Sequence, residues 1–243
     1  MAHALGSTRG ALLLGDLGKA APSGFEDLIS RRLAHEPVAY ITGVRDFWTI
    51  SLHVGPGVLV PRADSETLLE AAVEYFGKRA PESILDLGTG PGTLLLAALD
   101  QWPDASGVGV DVSENALDYA RANAERLGMA NRANFVRAGW EGTGERHDLI
   151  LCNPPYVATG EALPREVVDW EPAGALFAGA DGLDDYRKLA RLLLGQLTPG
   201  GVACVEIGAG QATAVTGLFA YAGLTVGLRR DLAGRDRCLI ATA

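Results

Sequence analysis

The sequence has no apolar run long enough to cross a bilayer, and its only early one, Ala11-Leu12-Leu13-Leu14, is too short for the hydrophobic region of a signal peptide. Membrane-spanning and secreted classes are excluded on that reading, so a soluble, cytoplasmic chain is expected. Cysteine is scarce. Cys152, Cys204 and Cys238 sit in apolar runs without CxxC spacing, which argues against a disulfide framework or a thiolate metal site and for reduced core residues. The four histidines are scattered without ligand spacing, so no metal is expected. Basic charge is in deficit as well: Lys and Arg total 21 against 30 Asp and Glu, a formal net charge of −9. Such a chain gains little from the counterion release that drives general nucleic-acid binding, and no stable nucleic-acid complex is expected. Arg229, Arg230, Arg235 and Arg237 are close enough in sequence to form a small local basic patch. Internal repeats and low-complexity linkers are missing too. Length and a 48% hydrophobic content fit one large α/β domain with a small appendage, or two small domains.

What is present begins at Ser23. The stretch before it, residues 1 to about 20, is Gly- and Ala-rich and carries no firm pattern. Ser23 and Glu26 have capping-box spacing, and Phe25, Leu28, Ile29 and Leu33 share a helical face until Pro37 stops it. One short helix is predicted there. Asp46–Ile50 and Leu52–Val54 read as a small hairpin, and Pro61-Arg62-Ala63-Asp64-Ser65-Glu66 opens a helix with Leu68, Leu69, Ala72, Val73 and Phe76 inward. From Ser83 onward, strands alternate with helices, the pattern of a parallel sheet covered on both faces. The strands are Ser83–Leu87, Gly107–Val110, Asn134–Arg137, Leu149–Cys152 and Val202–Ile207. A terminal hairpin, Thr225–Arg229 with Cys238–Thr242, turns near Gly234 and brings the sheet to seven strands.

Four strand ends carry chemistry. The first strand runs into Asp86-Leu87-Gly88-Thr89-Gly90-Pro91-Gly92, a glycine-rich turn that lets backbone approach a ligand or that is simply tight. It lacks the third glycine of the dinucleotide fingerprint and the Lys-Ser/Thr of a Walker loop. The second strand ends in Asp111, placed either to accept from both ribose hydroxyls or to cap the helix near Ser113. Trp140 follows the third strand, where its indole covers an adenine face or packs under a loop. The fourth ends in Asn153-Pro154-Pro155-Tyr156. Two prolines hold that backbone extended and leave carbonyls free, Asn adds an acceptor and Tyr a ring, a corner suited to a planar N–H₂ group such as an amide or a nucleobase amine. In a parallel sheet these ends share one edge, so all four should line one crevice.

In this order the motifs resemble a class I S-adenosylmethionine-dependent methyltransferase, and more closely the HemK-type protein-(glutamine-N5) methyltransferases that modify peptide chain release factors. The closer likeness rests on Pro37-Val38-Ala39-Tyr40-Ile41-Thr42-Gly43, Phe47-Trp48, Val60 to Glu66, Glu171-Pro172 with Ala175-Leu176, and Asp181-Gly182-Leu183-Asp184. It implies a Rossmann-like, doubly wound fold over residues 63–243, preceded by a shortened substrate-docking segment over 1–62. It implies that S-adenosylmethionine is held by Gly88, Thr89, Gly90, Pro91, Gly92, Asp111, Trp140 and Asn153. It implies further that Asn153, Pro154, Pro155 and Tyr156 bind the glutamine, with Asn153, Pro154 and Tyr156 acting in catalysis. The partner implied is a protein, with the Gly-Gly-Gln glutamine of release factors as substrate. Two rivals share the corner: a ribosomal-protein glutamine methyltransferase, and an N6-adenine or exocyclic-amine methyltransferase. Two features depart from the family: Gly139 stands where an Asp commonly precedes the Trp, and one helix stands where the family has a multi-helix N-terminal domain.

Overall fold

The computed structural model describes residues 1–16, 18 and 20–243; Leu17 and Lys19, within the weakly patterned first stretch, lie outside the described residues. More helix precedes the sheet than the sequence predicts. A 3₁₀ turn at His3–Leu5, α1 (Arg9–Ala11) and a π turn at Leu12–Asp16 lead to α2 (Phe25–Leu33) and α3 (Val38–Thr42). Pieces of three to five residues are too short to show a hydrophobic period. The Ser23 capping box does not form. Gly24 caps α2 instead, with φ 81 and without a side-chain hydrogen bond, and this left-handed step takes Ser23 out of the cap position.

The small hairpin pairs β1 (Val44–Phe47) with β2 (Ile50–His53), so its turn falls at Trp48-Thr49 and not between Ile50 and Leu52. Trp48 takes φ 54 there, a left-handed backbone unfavourable for a bulky residue. Its N–H is held at 2.9 Å by Glu66 Oε1. A 3₁₀ turn, Ala63–Ser65, then leads into α4 (Glu66–Phe76).

The remaining elements are β3 (Ser83–Leu87), α5 (Thr93–Gln101), β4 (Ser106–Asp111), α6 (Glu114–Arg126), β5 (Ala133–Arg137), β6 (His147–Cys152), α7 (Arg165–Val168), a 3₁₀ turn at Ala173–Ala175, α8 (Asp184–Gln196), β7 (Leu197–Glu206), α9 (Ala212–Tyr221), β8 (Thr225–Arg230) and β9 (Asp236–Thr242). They form the expected seven-stranded sheet in the order β5-β4-β3-β6-β7-β9-β8. The first five are mutually parallel, and β9 runs antiparallel between β7 and β8. Most strand boundaries move by one or two residues, and the largest change is at β7, which begins at Leu197, with Pro199-Gly200-Gly201 absorbed where the register slips between the His147–Leu197 and Leu149–Val202 pairs.

Strand order reverses beside β3, so a crevice opens at the carboxyl ends of β3, β4 and β6. Residue parity decides what faces it. Ile84, Leu149, Leu151, Val202 and Cys204 pack on the face covered by β1–β2, α4 and α5, whereas Leu85, Leu87, Ile150, Cys152, Ala203 and Val205 pack beneath α8 and α9. Asp86, Asn153 and Glu206 continue the first series. Asn153 and Glu206 follow the paired Cys152 and Val205 on neighbouring strands.

One buried side chain joins the hairpin to the glycine loop. Asn123 of α6 accepts the His53 N–H at 2.7 Å and donates to the carbonyls of His53 (3.0 Å) and Pro91 (2.9 Å). Beneath the other face Phe219 is fully buried. Phe219→Ala should cost about 3–5 kcal/mol by urea unfolding, the range for deleting a buried aromatic ring; a change below about 1 kcal/mol would contradict its place in that core.

Candidate active site

The glycine loop is pinned before any ligand arrives. The N–H groups of Gly88 and Thr89 both donate to the Val110 carbonyl at 2.9 Å, and the Gly90 N–H donates to Asp111 Oδ2 at 3.0 Å. Asp111 Oδ1 accepts the Ser113 N–H at 2.9 Å. Asp111 therefore anchors the loop and the residue that starts α6, but the cap itself is Ser113, whose hydroxyl accepts the Ala116 N–H at 3.3 Å; each Asp111 carboxylate oxygen keeps a further lone pair. Gly92 caps α5 with φ 86 behind the loop, where an added Cβ would press on Leu96 at 2.8 Å.

Asp86 is fully buried. Its Oδ2 accepts from Thr89 Oγ1 at 2.7 Å and from the Leu95 N–H at 3.1 Å, and its Oδ1 has no partner among the described residues. Burial pushes this carboxyl up to about 7, against the lowering by those two hydrogen bonds.

A crevice of about 470 Å³ runs along the strand ends, with Gly88, Gly90, Asp111, Trp140, Asn153 and Pro155 in its wall. A smaller recess adjoins it, bordered by Arg62, Ser65, Asp86, Thr89, Pro91 and Asn153. Trp140 is locked, its indole N–H donating to Asp185 Oδ1 at 2.9 Å, which Lys188 also contacts at 2.8 Å. Its ring edge lies 3.4 Å from where a Cβ on Gly88 would stand. At Gly139 a neighbour fills the space left by the missing side chain: Glu141 Oε1 accepts the Gly139 N–H at 3.0 Å, and Glu141 Oε2 would lie 2.7 Å from an added Cβ.

The Asn153–Tyr156 corner is braced from behind. Gln211 Nε2 donates to the Tyr156 carbonyl at 3.0 Å, and the Val157 N–H donates to the Leu176 carbonyl at 2.9 Å. Gly182, at φ 72, passes so close to the Tyr156 carbonyl that no side chain fits, which accounts for glycine there. Asn153 Nδ2 donates to Ser65 Oγ at 3.1 Å. Asn153 Oδ1 and the Pro154 carbonyl accept nothing from the described residues. Tyr156 turns its hydroxyl toward Glu206 Oε1 at 3.4 Å, and burial followed by that carboxylate pushes the phenol up to about 12.

The strand-end residues thus converge, while Gly92 supports the loop and Pro154 and Tyr156 back the crevice wall. Sequence reasoning gave no role to Ser65, Asp86, Asp185 or Glu206. Asp86 and Glu206 each put a charge at the end of an apolar strand, the one trace of a role visible in the sequence. Three of the four arginines of the local patch are paired: Arg229 with Glu70 and Glu74, Arg230 with Asp236, and Arg237, buried, with Asp64, Glu206 and Asp231, while Arg235 is exposed. Among the described residues no cluster of His, Cys, Asp and Glu is placed to hold a metal, and no helix is long and apolar enough to cross a membrane.

The donor set suits a nucleoside with an amino-acid tail. It offers an aromatic wall at Trp140, a carboxylate for a diol at Asp111, and an unpartnered buried oxygen at Asp86 for an ammonium.

Comparison with known proteins agrees with this geometry. Residues 63–169 match the family described as methyltransferase small domain, and residues 1–43 match the PrmC N-terminal domain. Helical pieces therefore stand where the sequence alone suggested one helix. The release factor glutamine methyltransferase of Rhodospirillum rubrum is 43% identical, with 98% of this chain and 75% of that protein aligned. That of Cereibacter sphaeroides is also 43% identical, over 99% of this chain and 88% of the relative. Among solved structures, a methyltransferase from Pyrococcus furiosus shares the fold at a TM-score of 0.61 and 17% identity, covering 89% of this chain and 98% of its own.

Proposed function

Because this chain belongs to the release factor glutamine methyltransferases, we propose that it transfers a methyl group from S-adenosylmethionine to the N5 nitrogen of a glutamine, that of the Gly-Gly-Gln tripeptide in peptide chain release factors. The observation that carries this reading is Asn153, in the wall of a nucleoside-sized crevice, whose Oδ1 accepts nothing from the described residues, with the likewise unpartnered Pro154 carbonyl on the next residue behind that wall. S-adenosylmethionine supplies a methyl already activated on a sulfonium sulfur, so no leaving group has to be made. Trp140 borders its adenine, Asp111 holds its ribose, and the loop from Gly88 to Gly92 lies along it. Asp86 Oδ1 accepts from its ammonium.

A glutamine amide is a poor nucleophile because its lone pair is delocalised into the carbonyl. Asn153 Oδ1 and the Pro154 carbonyl each accept one amide N–H, aim the nitrogen at the methyl and favour the positive charge that grows on it. Pro155 holds the corner extended, and Tyr156 fixes the amide plane, adding roughly 0.5–2 kcal/mol where its ring faces the cation. Positioning contributes on the order of 7–11 kcal/mol. The amide proton leaves to water after transfer, so the chain needs no general base.

Incubation with labelled S-adenosylmethionine and release factor, ribosomal protein or DNA, followed by mass spectrometry, tests the substrate. Label on the Gly-Gly-Gln glutamine is expected; label only on adenine would refute it. The Asp86 role predicts a pH dependence. Its carboxyl ionises near 7, and only the ionised form attracts an ammonium, so cofactor affinity should rise between pH 6 and pH 8. Asp86→Asn should weaken binding about tenfold at pH 8 and flatten that rise in calorimetry. An unchanged rise would assign the titration to another group.

A further inference from the structure

An asparagine side chain is nearly symmetric in shape, and a flip of its amide exchanges acceptor for donor. Flipped, Asn153 would point N–H groups at the N–H groups of an incoming amide. Its contact with Ser65 does not by itself prevent this, since a hydroxyl accepts as readily as it donates. The asymmetry comes from one residue further back. Ser65 Oγ lies 2.5 Å from Glu206 Oε2, and an ionised carboxylate only accepts. The single Ser65 proton is therefore committed to Glu206, and the lone pairs left on Ser65 are what Asn153 Nδ2 meets at 3.1 Å. Glu206 Oε1 takes the Tyr156 hydroxyl at 3.4 Å, so one carboxylate orders both side chains of the corner.

Resting on the reading that Asn153 accepts a proton of the substrate amide, we infer that Ser65 and Glu206 are positioning residues for methyl transfer, a one-way hydrogen-bond relay that holds Asn153 Oδ1 toward the substrate. The relay joins three elements far apart in sequence: the turn before α4, the tip of β6 and the end of β7. Glu206 is 1% exposed, and a carboxylate buried at the end of an apolar strand costs folding free energy that a hydrophobic residue would not. Its surroundings keep it in place. The Tyr186 hydroxyl of α8 donates to its main-chain carbonyl at 2.9 Å. Arg237 of β9 stands 3.9 Å from Oε1 and is shared with Asp64, ahead of α4, and Asp231, in the β8–β9 turn. The other titratable groups around it, Cys152, Cys204 and Cys238, are buried and reduced.

Burial pushes the Glu206 carboxyl up to about 7, against the lowering by Ser65 and Arg237. Below that pH a protonated Glu206 donates to Ser65, Ser65 is free to donate to Asn153, and the order reverses. At saturating cofactor, where Asp86 is already engaged, kcat should fall as pH drops through about 7.

The test is steady-state methylation of a release factor, with calorimetry of S-adenosylmethionine binding as the check on folding. Ser65→Ala should lower kcat on the order of tenfold with cofactor Kd within about threefold, and Ser65→Thr, which keeps the hydroxyl, should return kcat to within about threefold of the parent. Glu206→Gln presents a donor as well as an acceptor, so its kcat should be low at pH 8 and lack the acid limb. Full kcat in Ser65→Ala, no recovery in Ser65→Thr, or an unchanged acid limb in Glu206→Gln overturns the relay. A parent protein inactive on every glutamine overturns the relay together with the reading beneath it, whereas an active parent with indifferent variants overturns the relay alone.

Discussion

Asn153→Ala should lower kcat by about 10²–10³-fold, the loss that follows removal of one donor or acceptor aimed at transition-state charge. The cofactor Kd should stay within several-fold. Asn153 borders the crevice, but the groups proposed to grip a nucleoside, Asp111, Trp140 and the glycine loop, stand on β3, β4 and the segment after β5. Among the described residues they make no hydrogen bond to the Asn153 side chain, whose one such bond there goes to Ser65. Ground-state affinity and turnover should therefore separate, and that separation marks an interaction made mainly in the transition state. Single-turnover methylation with saturating S-adenosylmethionine, alongside calorimetry, measures both. Near-normal turnover in this variant would remove the corner from the chemistry.

Asp111→Ala should show the opposite split, with cofactor Kd rising about 10- to 100-fold and kcat at saturation changing little. Its two oxygens hold Gly90 and Ser113, so the alanine loses the proposed diol acceptor and also leaves two main-chain N–H groups without their charged partner. Hydrogen bonds to charged groups contribute about 1.5–3 kcal/mol each, which corresponds to this range in Kd. Isothermal calorimetry reads it directly; an unchanged Kd would show that the loop and Trp140 suffice without it.

The features legible in the sequence were those that need particular backbone chemistry. Gly88 to Gly92 and the Asn153–Tyr156 corner use glycine and proline because no other residue follows that path, and the central strands read as apolar runs because both faces are covered. Where structure depends on distant partners, the sequence misled or was silent. The β1–β2 turn has no Gly or Asn to mark it; Trp48 is held there by Glu66, eighteen positions on. Ser65 and Glu206 are 141 positions apart and meet only once the sheet has formed, so neither announces a role by spacing. Short pieces such as α1 and α3 lack the period that betrays longer helices.

The three hydrogen bonds of Asn123 bear on how the molecule comes apart. Phe47, Leu52, Val54 and Val58 share a core with Leu94 to Leu99 of the helix behind the glycine loop, and Asn123 ties His53 to Pro91 across that contact. Local opening should respect this grouping: the hairpin, α5 and α6 form one cooperative unit, and the His53 amide should exchange its hydrogen with those helices, more slowly than a surface ribbon would. A graft that moved the catalytic sheet without its hairpin would leave a buried wall of that unit open to water, and with it the floor under the glycine loop.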